Sequence, residues 1–344
     1  MKRWTNLALF VLLGLAFVTG WLAFFSTAAS RGSLIAHAAS GYAIIALTPW
    51  KSVIASRAIQ RHRPGWWASL LLTVLVLLSV LSGILHSTGL LIAAGAITAM
   101  EVHVGAALVA IPFAAWHIIA RRIPTRAVDL SRRSLLRAGA LVAGAGLTYA
   151  AGEAAIRLLR LPGSERRFTG SYEFGSLESS QLPATQWMFD AVPQIDPRTW
   201  RLAVHTGTVT RQWTYEELLA FDDRVRATLD CTGGFFSTQD WSGVWLSRLI
   251  SPHPDPPPQG GREMFPPSSI HVRSSTGYDR RFAIANAGRL LVATRLGGAA
   301  LDADHGFPAR LVAPDRRGYW WVKWVTEIRV DELPAWWQLP FPVQ

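Results

Sequence analysis

A single cysteine, Cys231, stands in 344 residues. No internal disulfide can form, so the thiol is a buried hydrophobe, a reactive group or a metal ligand. Carboxylates are scarce as well: 23 Asp and Glu against 34 Lys and Arg leave a net charge of +11. The long apolar runs of the first half hold almost none beyond Glu101 and Glu153, which argues against a transporter. Nor does the basic excess form a nucleic-acid stripe, and no nucleic-acid partner is expected. Much of it sits between apolar runs, at Lys51, Arg57, Arg61 and Arg63, and again from Arg121 to Arg137. Short Lys/Arg-rich loops mark the cytoplasmic side of a membrane protein.

Five apolar stretches approach the ~20 residues that cross a bilayer: Asn6–Phe25, Ser33–Trp50, Trp67–Leu85, Ile97–Ala120 and Leu135–Ile156. With Lys2 and Arg3 inside, both basic connections also fall inside, and everything after Arg157 falls outside. The first stretch is read as an uncleaved helix because four more follow. The expected setting is a bacterial-type plasma membrane, with the second half on the periplasmic face. Ser131-Arg132-Arg133-Ser134-Leu135-Leu136-Arg137 resembles a twin-arginine export signal, the alternative being a plain basic flank that orients the fifth helix.

Histidines are the main ionisable groups in these stretches. His37, His86 and His103 lie toward the outer ends, and His117 follows His103 by fourteen residues. On a helix that spacing gives ~21 Å of rise on nearly one face. It suits two haems stacked across a bilayer and resembles the His-x13-His helix of b-type cytochromes. The resemblance implies one outer haem b, its axial ligands drawn from His37, His86 and His103, and a second inner haem at His117. The inner site departs from the pattern: Lys51, not histidine, stands fourteen residues after His37, and His62 lies in a basic loop. The bland alternative is interfacial side chains bonded to neighbours or headgroups.

The second half reads as a polar, Trp-rich domain. Residues 200–209 and 225–229 alternate as strands, the latter placing Cys231 in phase at a strand end before a Thr-Gly-Gly turn. Thr214 with Glu217 forms a helix-start signal. Residues 251–267 are a Pro/Gly-rich run, read as a flexible surface loop.

Three blocks in this half resemble the sulfite-oxidase-type molybdopterin fold. They are Leu229-Asp230-Cys231 with Trp241-Ser242-Gly243-Val244 and Leu246…Leu249; Asp304–Pro314, similar to the HG-x-P-x-R-L-x-x-P segment; and Trp321-Val322-Lys323-Trp324 ending in Ile328, similar to the V-K-W…I closing strand. The resemblance implies that the Cys231 thiolate binds molybdenum and that His305, Arg310, Trp321, Val322 and Lys323 cradle the pterin, with Thr276 over it. Tyr172-Glu173-Phe174 resembles a segment of the periplasmic sulfoxide-reductase branch, which makes Gly170, Glu173 and Phe174 further contacts. His305 is similar to the sulfite-oxidase branch instead.

The expected architecture is a transmembrane helical bundle (1–157), a linker (158–167) and an α+β molybdopterin-binding domain of mixed sheets (168–344). The expected function is oxygen-atom transfer on a small sulfur-type substrate, sulfite or sulfoxide, using Mo-molybdopterin and haem b. Electrons would be exchanged with membrane quinone or a redox partner protein. The rival is a membrane-tethered, cofactor-free binding module with structural histidines.

Overall fold

The computed structural model describes residues 2–25, 30–60, 65–94, 97–120, 126, 129, 131–187, 190–250 and 268–340. The Pro/Gly-rich run 251–267 and His62 lie outside the described residues. The chain divides into two compact units, Met1–Tyr172 and Glu173–Gln344.

The first unit consists of α1 (Lys2–Phe25), α2 (Ser30–Gln60), α3 (Trp66–Thr88), α4 (Ala99–Ala120) and α5 (Arg132–Leu158). Helix α1 packs on α2, α3 on α4, and α2 on α5. The core between them is thin, built around Leu12, Ala43, Ile44, Leu47 and Ala145. Outward faces carry Phe10, Leu15, Val18, Leu81, Val142 and Leu147, all exposed. Helices that are apolar all round need an apolar surrounding. Among the described residues four helices, Arg3–Phe24, Trp66–Thr88, Ala99–Ala120 and Arg132–Leu158, are long and apolar enough to cross a membrane.

Helix α2 departs from the expected Ser33–Trp50 stretch. It continues through Pro49 and Lys51 to Gln60, so Lys51 sits on a helix and not in a loop. The Lys51 ammonium donates to Asn6 Oδ1 on α1 at 3.0 Å, which gives the charge a polar partner beside the bundle. Beyond α5, Arg166 pairs with Glu153 at 2.7 Å.

In the second unit the elements are β1 (Arg201–Thr206), β2 (Val209–Thr214), α6 (Tyr215–Leu219), β3 (Asp223–Asp230), β4 (Phe235–Trp245), α7 (Leu246–Ile250), β5 (Ser269–Ser274), β6 (Asp279–Ala283), β7 (Leu291–Leu296), β8 (Arg310–Val312) and β9 (Val325–Asp331). One sheet has the order β2-β1-β9-β5-β6, with β9 parallel to β1 and the other pairs antiparallel. In the other, β4 pairs with β3 and β7, and β7 with β8, all antiparallel. Alternation along β1 puts Leu202 and Val204 into the core. They meet Leu246, Ile270, Val272, Leu291, Leu311 and Ile328 there. The Thr214–Glu217 signal is a full capping box, each residue's side chain accepting from the other's backbone amide.

The V-K-W segment is not the strand it was expected to be. Strand β9 begins only at Val325, because Trp324 takes a left-handed φ of 51° and its indole N–H donates to Ala303 O at 2.7 Å. That kink turns Lys323 away from the sheet ladder and toward the 303–306 turn.

Candidate active site

The site lies wholly in the second unit. Strand β3 ends at Asp230, and Cys231 opens a tight turn whose Gly234 amide donates back to Cys231 O at 3.2 Å. Asp230 is fixed by a buried ion pair with Arg317 at 2.8 Å, the two side chains 9% and 5% exposed. The thiol Sγ accepts from the Gly233 amide at 3.3 Å and lies 3.5 Å from Thr185 Oγ1.

A single 3-10 turn, Ala303–His305, and Gly306 bring the second block to the same place. Gly306 has φ 108°, and a Cβ there would lie 3.0 Å from Arg310 Cβ and 3.2 Å from Lys323 Cβ. Only glycine allows that approach. His305 is buried; its Nε2 lies 3.0 Å from Leu182 O and its Nδ1 3.1 Å from Asp304 Oδ1. Burial, and then the Arg310 charge, lower its pKa below the ordinary imidazole value.

Arg310 is 2% exposed. Its Nη1 donates to His305 O at 3.0 Å, and the guanidinium sits 5.0 Å from the ring centre of Trp241 and 5.6 Å from that of Trp321. Its Nε is buried without a partner. Desolvation brings its pKa down to about 10, against the pull of Cys231. Lys323 Nζ donates to Thr185 O at 2.7 Å and Asp304 O at 2.5 Å. Burial first, and then the Arg310 cation, push the Lys323 pKa down to about 7, with Cys231 and Asp304 opposing. Both cations thus bond to backbone carbonyls, and burial, complete for Arg310 and partial for Lys323, makes each charge costly unless an anion joins them.

The structure brings Cys231, His305, Arg310 and Lys323 together, and the other expected contacts have the following neighbours. Trp321 packs edge-on against Trp241 at 5.6 Å, and Val322 is fully buried, its carbonyl accepting from Leu311 N at 2.7 Å. Both belong to the core wall behind the cradle. Thr276 Oγ1 donates to Asp190 Oδ2 at 3.2 Å. Glu173 accepts from the Ser176 amide at 2.7 Å, and the Phe174 amide donates to Phe236 O at 2.9 Å. In the first unit Gly170 O bonds to His86 Nε2 at 3.0 Å.

Of the histidines, His37 and His103 meet. Their Nε2 atoms are 3.4 Å apart, while His37 Nδ1 bonds to Ala16 O at 2.8 Å and His103 Nδ1 to Ser79 O at 2.7 Å. Gly20 and Gly83 make room for the rings: a Cβ would come within 3.1 Å of His37 and 2.9 Å of His103. His86 is bonded to Gly170 instead, and His117 Nδ1 lies 3.0 Å from Ser69 Oγ.

Sequence reasoning missed Thr185, Trp187, Asp190 and Arg317. Arg317 lies 87 positions from Asp230, and no periodicity links the two.

Residues 189–337 match the family model described as an oxidoreductase molybdopterin binding domain. The second unit carries a molybdopterin-binding domain of the sulfite-oxidase type. Sulfite oxidase of Gallus gallus is 30% identical over 178 residues, covering 43% of this chain and 38% of that protein. Mitochondrial sulfite oxidase of Homo sapiens is 27% identical over 183 residues, covering 43% of this chain and 32% of the relative. The chain thus spans less than two fifths of the length of these relatives. Among solved structures, the sulfane dehydrogenase SoxCD from Paracoccus pantotrophus aligns with a TM-score of 0.35 and 22% identity, over 41% of this chain and 40% of that one.

The residues gathered around Cys231 fit such a group. A soft sulfur ligand suits molybdenum, and the unpartnered Arg310 Nε with Lys323 supplies the cations that a phosphate-bearing pterin needs.

Proposed function

We propose that the chain is a membrane-anchored, molybdopterin-dependent oxidoreductase acting on a small sulfur-type substrate and exchanging electrons with membrane quinone through haem b. The observation that carries this reading is the meeting of the Cys231 thiol with buried Arg310 and half-buried Lys323, two cations whose hydrogen bonds go to backbone carbonyls. Cys231 would ligate the metal, and Arg310 and Lys323 would hold the anionic part of the cofactor. The bound cofactor supplies two-electron oxygen-atom chemistry. The protein's own part is positioning. The Asp230–Arg317 pair fixes the backbone at the thiol, Gly233 and Thr185 orient Sγ, and Trp241 and Trp321 keep water from Arg310.

The His37–His103 pair supports the haem part. With both Nδ1 protons directed at carbonyls, two Nε2 lone pairs face each other, an arrangement that a metal cation between them relieves. Two metal–nitrogen bonds of roughly 2 Å each ask for about 4 Å, close to the 3.4 Å seen. The inner level has Lys51 and His117 where a second pair would stand, which favours a single haem. In this reading five helices span the membrane, α2 included, with the catalytic domain outside.

Cys231→Ser in the full chain should abolish turnover while the folded protein stays in the membrane; retained activity would refute the ligand assignment. His103→Ala should remove most of the haem absorbance, and an unchanged spectrum would refute the histidine pair.

A further inference from the structure

The turn whose carbonyls bind Arg310 and Lys323 carries two carboxylates with no part in the cofactor reading. Asp302 precedes the 3-10 turn Ala303–His305, and among the described residues its side chain makes no capping bond there. Backbone bonds hold the turn closed: the His305 and Phe307 amides both donate to Asp302 O, at 3.0 and 3.1 Å, and the Trp324 indole donates to Ala303 O. Asp302 Oδ2 lies 3.8 Å and Asp304 Oδ1 3.1 Å from His305 Nδ1, and one donor atom from each of the three residues falls within 4.8 Å of the others. The two carboxylate side chains are 76% and 45% exposed, whereas that of His305 is 8% exposed.

The tautomer of His305 follows from its other nitrogen. Leu182 O, 3.0 Å from Nε2, can only accept, so Nε2 carries the proton. Nδ1 is buried and, among the described residues, makes no hydrogen bond, although Asp304 Oδ1 is within reach. A proton on Nδ1 would therefore sit buried without an acceptor, so the ring presents a bare lone pair to two anionic carboxylates. These three groups repel one another, and a cation shared among them turns the repulsion into three bonds. Exposed acidic pairs are common without an ion; the buried imidazole aimed between them sets this pair apart.

We propose that Asp302, Asp304 and His305 form a binding site for one first-row divalent cation, zinc by its donor set, with water completing the shell. A mixed imidazole and carboxylate set suits such a cation better than calcium or magnesium, which take oxygen ligands. Zinc bonds of roughly 2 Å at tetrahedral angles put ligand atoms about 3.3 Å apart, between the 3.1 and 3.8 Å separations seen. The two carboxylates balance the dication beside the charges of Arg310 and Lys323. Bound there, the cation ties three side chains of one turn together and steadies His305 O and Asp304 O, the carbonyls that accept from Arg310 and Lys323. The site uses neither the thiol nor the membrane histidines, so it stands apart from the oxidoreductase reading.

The test is calorimetric titration of zinc, and separately of calcium, into the purified full chain after dialysis against EDTA. Wild type is compared with Asp302→Asn and with Asp302→Asn/Asp304→Asn, substitutions at exposed side chains that leave the fold intact. The wild type should bind zinc at least about a hundredfold more tightly than calcium. Asp302→Asn should weaken zinc about tenfold and the double variant about a hundredfold. Zinc should also raise the Tm of the wild type and leave that of the double variant unmoved. Zinc bound with equal affinity and stoichiometry by the wild type and the double variant, an adventitious ion only, overturns the proposal. So does calcium bound as tightly as zinc, or a wild type that binds no zinc at about 1 mM.

Discussion

Replacing Asp230 with alanine leaves the Arg317 guanidinium buried beside Cys231 without its carboxylate. The pair is 2.8 Å long with side chains 9% and 5% exposed, so solvent cannot take over the lost partner. Breaking a buried pair by removing one member costs about 3–5 kcal/mol, whereas replacing both by apolar groups of similar volume is often neutral. For a domain of this size each kcal/mol shifts Tm by about 2–4 °C, so Asp230→Ala should melt roughly 6–20 °C lower. The double variant Asp230→Leu/Arg317→Met should recover most of that loss. Tryptophan fluorescence melts of the full chain in detergent, for both singles and the double, form a double-mutant cycle. A single variant within about 2 °C of wild type, or a double that merely sums the singles, would refute the buried-pair account. Molybdenum retained at the wild-type level in Asp230→Ala would show separately that the pair does not position Cys231.

Gly306→Ala must adopt φ 108° with its Cβ 3.0 Å from Arg310 Cβ, so it should cost about 2 kcal/mol and lower molybdenum content, read by melting and elemental analysis. Lys323 gives a pH signature in cofactor-free protein. Its folded pKa, about 7, lies below the unfolded value near 10.5, so the unfolded chain binds more protons between these limits and stability rises with pH across that window. Lys323→Met should remove that rise, and an identical pH profile in the variant would contradict the burial of the charge. Gly83→Val should push the His103 ring aside and reduce haem absorbance, whereas Val at Gly14, which has nothing within 4 Å of its Cβ position, should not.

Much of this site is legible in sequence because its anchors sit in short, dense blocks. Cys231 directly follows an alternating strand, and His305, Gly306 and Arg310 lie within one turn and the strand that follows it. Less legible was which of several neighbouring residues faces the site. Trp321 and Val322 flank Lys323, yet a left-handed Trp324 and a wall of packed indoles turn them into the core. Strand alternation cannot announce such a kink. Lys51 was placed in a loop because its charge ends an apolar run; α2 runs on through it to Gln60, and its ammonium finds Asn6 on the neighbouring helix. Trp187, Asp190 and Arg317 stand on stretches without periodicity, and only the three-dimensional pairing with Tyr278, Thr276 and Asp230 gives them meaning.

Molybdenum and iron per chain, by elemental analysis of detergent-purified full-length protein expressed with molybdenum supplied, test the central claim most directly. The account predicts one molybdenum and one iron per chain, with molybdenum lost in Cys231→Ser and iron lost in His103→Ala. Correctly folded protein with neither metal would contradict it and leave a tethered binding module.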